Sequence, residues 1–129
     1  QPTPFEQRPI GVELQLCQRY YEKSYNATTA PATATTEGLY AFGSMLDGSS
    51  QWFGHVNFKV GKRIASYTVT FYTDDGTAGW KFNRSGANTA ATPSNIWAST
   101  SGFSPYYVWS GASWVVALGY GHFTCSAEL

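Results

Sequence analysis

Two histidines, two cysteines and eight carboxylates are the side chains of this 129-residue chain best suited to holding a metal or breaking a bond. His55 in "HVNFKV" and His122 in "HFTCSAEL" fall on the polar side of alternating segments. A metal centre needs further ligands at set spacings, and none lie near either one, so both read as surface or half-buried strand histidines. Asp74 and Asp75 in "YTDDGTAG" could offer oxygens to Ca²⁺, but Asp-Gly is first a turn device and no acidic 1,3,5 pattern follows. Glycoside hydrolysis needs two carboxyl groups about 5–10 Å apart, one with a raised pKa. The acids here are scattered over loops, termini and one charged stretch, and neither a nucleophile elbow nor a phosphate loop occurs. The expectation is a protein without catalytic residues, metal or cofactor. Cys17 and Cys125 are too few for a disulfide framework and are expected as reduced, buried thiols. The sequons at Asn26 and Asn83 are what chance produces in a Ser- and Thr-rich chain.

Binding chemistry is better represented. "NIWASTSGFSPYYVWSGASW" gathers Trp97, Phe103, Tyr106, Tyr107, Trp109 and Trp114 among Ser, Gly and Pro. Trp109 and Trp114 are assigned to the core. Trp97, Tyr106 and Tyr107 lie in or beside loop sequence, where rings offer area for a sugar or a protein partner. With the loop polar groups Asp74, Asp75 and Asn95 they form the candidate ligand-binding set.

These residues must be positioned by strands. Period-two alternation runs through "HVNFKV", "SYTVTFYT", "WVVALGY" and "HFTCSAEL", with weaker strands at Leu39–Met45, Gly79–Arg84 and Tyr106–Ser110. "LDGSSQ", "VGKR", "TDDGTAG" and "SGANTAATPSN" carry the residues turns require. About eight short strands predict an all-β sandwich or barrel. "ATTAPATATTEG", Ala27–Gly38, reads as an exposed loop without a packing role. Only the opening segment competes for helix. As a strand, Leu14, Leu16, Gln18 and Tyr20 share one face, and Cys17, Arg19, Tyr21, Lys23 and Tyr25 the other. As a helix, Ile10, Leu14, Cys17 and Tyr21 share a stripe, and a helical turn at Pro9–Val12 running into a strand reconciles the two. Residues 1–9, with three prolines, read as a linker, residues 10–129 as a single domain, and the chain as a piece of a longer polypeptide.

Charged residues are only 12% of the chain and the formal net charge is zero, so no basic field points to nucleic acid or an anionic membrane. The longest apolar run, Trp114–Tyr120, is far short of the ~20 residues that span a bilayer. Aromatics reach 17%, a balance that fits surface hidden against partners.

"ELQLCQRYYEKSY", Glu13–Tyr25, resembles an N-terminal signature of tailed-bacteriophage virion proteins. Phe58, Val60 and Lys62–Arg63, then "TVTFY" at Thr68–Tyr72, continue the likeness, and "FTCSAEL", Phe123–Leu129, resembles the family's ending "F-T-x-x-A-E-L". Cys125 departs from it, since a small non-thiol residue is usual there. The resemblance implies a jelly-roll-like antiparallel β-sandwich, the C-terminal domain of a tail-fibre, head-fibre or capsid-decoration protein, found in the virion and assembled in the host cytoplasm. It implies a homotrimer attached to a fibre shaft or capsid. On that reading Leu14, Leu16 and Tyr20 serve the core, Tyr21 and Tyr25 pack across the subunit boundary, and Arg19, Glu22 and Lys23 fix orientation at its edge. An edge strand of a monomer is the alternative. Recognition of a host glycan or protein, capsid decoration, and the remoter glycan hydrolase are the functions open to it.

Overall fold

The computed structural model describes residues 8–46, 51–84, 87–93, 95–108 and 115–127. Among them are one helix and ten strands, arranged as two antiparallel sheets, as the alternation predicts.

The spine is β10, Val115–Ser126, a single twelve-residue strand. Two separate strands were expected here, one on either side of Tyr120–Gly121. On one edge of the spine β1 (Tyr21–Lys23) pairs with its last residues and β2 (Tyr40–Leu46) with Val115–Gly121. On the other edge β5 (Thr68–Tyr72) pairs with His122–Ser126 and β6 (Trp80–Arg84) with Ala117–Tyr120. β7 (Ala87–Ala91) adds to β6 at the sheet edge. Each edge is thus one long strand interrupted by an excursion, residues 24–39 on one side and 73–79 on the other. Both excursions leave at the level of His122.

The smaller sheet repeats the device. β9 (Gly102–Val108) has β8 (Asn95–Ser99) on one edge; β3 (Gln51–Phe53) and β4 (Val56–Asn57) lie end to end on the other. Phe71, Trp80, Phe82, Phe123 and Cys125 of the large sheet meet Val56 and Phe103 of the small one. The rings pack edge to face: Phe103 lies 5.1 Å from Phe123 at 80°, and Phe71 lies 5.2 Å from Trp80 at 82°. Burying each such side chain contributes about 1.5–3 kcal/mol. Gly121 has a specific reason to lack a side chain, because a Cβ there would stand 2.3 Å from the Trp80 ring.

The opening segment forms the helix α1, Ile10–Gln18, longer than the one turn expected. Pro9 starts it, its carbonyl accepting from the Val12 and Glu13 N–H groups. The run that follows is rich in Leu, Gln and Glu, good helix formers, and holds only two β-branched residues. Local propensity therefore decides the segment up to Gln18. The strand reading survives only from Tyr21, where pairing with the spine takes over.

Residues 24–39 do have a packing role. Together with 73–79 they roof His122, the two excursions meeting where the Thr35 N–H donates to the Asp74 carbonyl. His122 is fully buried, which corrects the surface expectation. Its Nε2 lies 2.9 Å from the Thr35 carbonyl, which can only accept, so that nitrogen carries the proton. In the neutral ring Nδ1 then accepts from the Ser24 hydroxyl at 3.0 Å. The polar side of β10 is buried here by loops, while its apolar side is buried by the other sheet.

Candidate functional site

Five of the nine residues of α1 are apolar or cysteine (Ile10, Val12, Leu14, Leu16 and Cys17), yet the helix buries none of its residues. Ile10 is 86% exposed, Leu14 56% and Val12 44%. An amphipathic surface helix turns such residues towards its own core. Here the short β1 and the turn at Arg19–Tyr20 anchor α1 at its C-terminal end only, the Tyr20 carbonyl accepting from the Ala127 N–H.

Beside the helix runs a cleft of about 380 Å³, walled by Leu14, Cys17 and Gln18 of α1, Tyr21 and Tyr25 on and after β1, and Lys59 opposite. Tyr21 stands in it 44% exposed. Burial and the neighbouring Tyr72 raise its phenol pKa, so the group is an uncharged hydrogen-bonding tip on an apolar wall.

The floor is held by charges the sequence had placed elsewhere. Glu22 is buried and its carboxylate meets the Lys62 ammonium at 2.7 Å. Lys62 Nζ also donates to the Gln18 carbonyl, closing the end of α1, and the Lys59 N–H donates to the other Glu22 oxygen. The ammonium stands over the Phe58 ring, 4.3 Å from its centroid. This network ties helix, β1 and the turn after β4 into one support. Lys62 sits in "VGKR", which composition alone assigned to an exposed turn.

Several expected interface residues have other duties. Tyr25 is 3% exposed and stacks on His122 at 3.9 Å within its own chain, so it reaches the cleft only as a buried wall. Lys23 donates to the Ala27 and Thr29 carbonyls and pins the roof loop. Leu14 and Leu16 are not core residues, because their segment is helical and stands clear of the sandwich. Arg19 is exposed beside the cleft, and its carbonyl accepts from the Arg63 N–H. Cys17 is an exposed free thiol and Cys125 a buried one, so only the second fits the expected state.

The ligand-binding set is dispersed. Asp74 and Asp75 both pair with Lys81, at 2.5 and 2.9 Å. Hydrogen bonds from Thr73, then Lys81 and Thr77, hold the Asp75 carboxyl well below its ordinary range. The two carboxylates raise the pKa of Lys81 in turn. This cluster closes the 73–79 excursion, with both carboxylates held by the one ammonium. Trp97 is on strand β8 of the other sheet, 59% exposed. Asn95, Tyr106 and Tyr107 are strand positions as well, Asn95 being the cross-strand partner of Tyr106, and their side chains lie outside the described set. Trp109 and Trp114 also lie outside the described residues.

Compared with protein-family models, with curated proteins and with solved structures, the chain finds no match in any of the three.

Proposed function

We propose that this chain is a non-enzymatic virion module that assembles with copies of itself as a homotrimer, through α1 and the cleft beside it, and presents its sandwich for recognition of a host surface. The observation that carries the reading is a helix that buries none of its residues and leaves Ile10, Val12 and Leu14 exposed. Uncovered apolar area of this kind is driven towards a partner, and self-association supplies one at every copy. Three further features support it: few charges, a rigid polar floor under the cleft, and the likeness of Glu13–Tyr25 and Phe123–Leu129 to phage virion sequences. A specific contact needs about 800 Å² from each partner. The helix with its cleft is the part of the described surface best supplied with apolar side chains for that area.

Native mass spectrometry tests the assembly. The expected species is three times the 14.1 kDa chain, and Leu14→Asp reduces it to one. A single-chain mass for the wild type at tens of micromolar overturns the reading.

A further inference from the structure

The helix α1 is apolar on two sides. Leu14, Cys17 and Gln18 wall the cleft and define one of them. At about 100° per residue, Val12 and Leu16 fall together on the side turned away from the cleft. Val12 is 44% exposed and Leu16 half-buried. A surface helix needs a single apolar stripe, and one that is apolar on opposite sides belongs in a buried setting. No residue of α1 is buried by its own chain.

Charge is divided between the same two sides. Lys59 is exposed across the cleft from α1, and among the described residues no ion pair holds its ammonium. Glu13 lies on the flank of the other side, one turn before Leu16. Its tie to Arg8 spans 3.5 Å between side chains 51% and 54% exposed, a pair that contributes little.

We infer that the copies join head to tail: the Val12–Leu16 side of one α1 enters the cleft of the next copy, and its Glu13 meets that copy's Lys59. The inference rests on the homotrimer proposed above and fixes which surface of one copy meets which surface of the next. Symmetry selects this arrangement. A twofold contact sets the same side of both helices together and leaves the opposite side of each in water. A head-to-tail contact uses two different surfaces, so a closed ring of three covers both sides of every helix. It also brings a carboxylate to an ammonium in each contact, whereas a cleft-to-cleft contact turns Lys59 towards Lys59.

Cys17, an exposed free thiol on the cleft wall, reports the contact. In Val12→Cys the introduced thiol of one copy should reach Cys17 of the next. Oxidation by air with copper phenanthroline, followed by non-reducing electrophoresis, should give bands of two and three chains. These should vanish in Val12→Cys with Cys17→Ser, and wild type should run as a single chain. Sedimentation equilibrium supplies the second reading. Glu13→Lys should raise the concentration at which the trimer dissociates by about tenfold, and Glu13→Lys with Lys59→Glu should restore it. Loss of the Arg8 pair alone would not be rescued by that exchange. A trimeric mass with no bands from Val12→Cys overturns the head-to-tail contact and leaves the trimer standing. So do bands from wild type, bands that persist without Cys17, or a charge exchange that fails to restore assembly. A single-chain mass for wild type overturns both.

Discussion

The Glu22–Lys62 pair shows how much a single contact can carry in a chain with so few charges. Both side chains are almost wholly buried, at 4% and 0% exposure, so neither is relieved by water if the other is removed. Breaking such a pair by neutralising one partner costs about 3–5 kcal/mol. Lys62→Met is therefore expected to lower the unfolding free energy by that amount in a urea titration. Glu22→Leu combined with Lys62→Met recovers about 1–3 kcal/mol of the loss, because two apolar groups no longer leave a charge stranded. The remainder is the Lys59 N–H and Gln18 carbonyl left without partners, about 1 kcal/mol each. A second test uses acids held protonated by the fold. Burial pushes the Cys125 thiol from 9.0 up to about 11, with Glu22 adding to the rise and Lys62 opposing it. Burial likewise pushes the Tyr67 phenol from 10.0 to about 12. A raised acid favours the folded state while protonated, so this stability is complete below pH 9 and drains away as pH climbs from 9 towards 12. Melting temperature should fall across that window, and Cys125→Ala should flatten the part of the fall between pH 9 and 11. None of this was legible in the sequence. A lysine in a Gly-Lys-Arg turn looks solvated, and its burial depends on a glutamate forty positions earlier.

At the scale of elements the sequence is a better guide, and its failures have a common cause. Strands such as Thr68–Tyr72 announce themselves by alternation, because one face meets the core and the other meets water. β10 defeats that logic between Gly121 and Cys125, where every residue is buried. Its two glycines, Gly119 and Gly121, look like turn residues, yet Gly121 is a close-approach site for Trp80 in an unbroken strand. Gly121→Ala should be tolerated by the backbone conformation but not by packing. The Cβ would sit 2.3 Å from an indole atom and 2.6 Å from the Tyr72 carbonyl oxygen, and overpacking of this kind costs about 1–3 kcal/mol. The measurement is the denaturation midpoint, and an unchanged value would mean that Trp80 moves freely. β7 and β8 escaped notice for the opposite reason. "ANTAA" and "NIWAS" are edge strands with small or exposed residues, so the sequence around them reads as loop. With β8 recognised, Trp97 moves from loop sequence to a strand, where it is 59% exposed.

For the whole molecule, helix and sandwich make separate demands that one assembly can meet. In the proposed assembly α1 covers its apolar residues against another copy, which leaves the sandwich free to meet a host surface. A trimer built on the first therefore displays three copies of the second on one rigid body. A single sandwich meeting a host surface alone is expected to bind weakly. Joining three on one body turns the second and third contacts into intramolecular events, which multiplies overall affinity by about 10² or more when the spacing of ligands allows it. The monomerising change must be made on the helix, since Tyr25 is a core residue whose loss would unfold the roof over His122. Val12→Asp with Leu14→Asp alters two exposed positions of a helix that buries none of its residues, so thermal stability of the single chain should stay within about 0.5 kcal/mol of wild type. On a surface coated densely with host-cell envelope material, wild type should dissociate about a hundredfold more slowly than this variant. On a sparse coating the two should dissociate alike. Equal rates on the dense surface would mean that the three sandwiches do not engage one surface together, and would remove assembly from the mechanism of recognition.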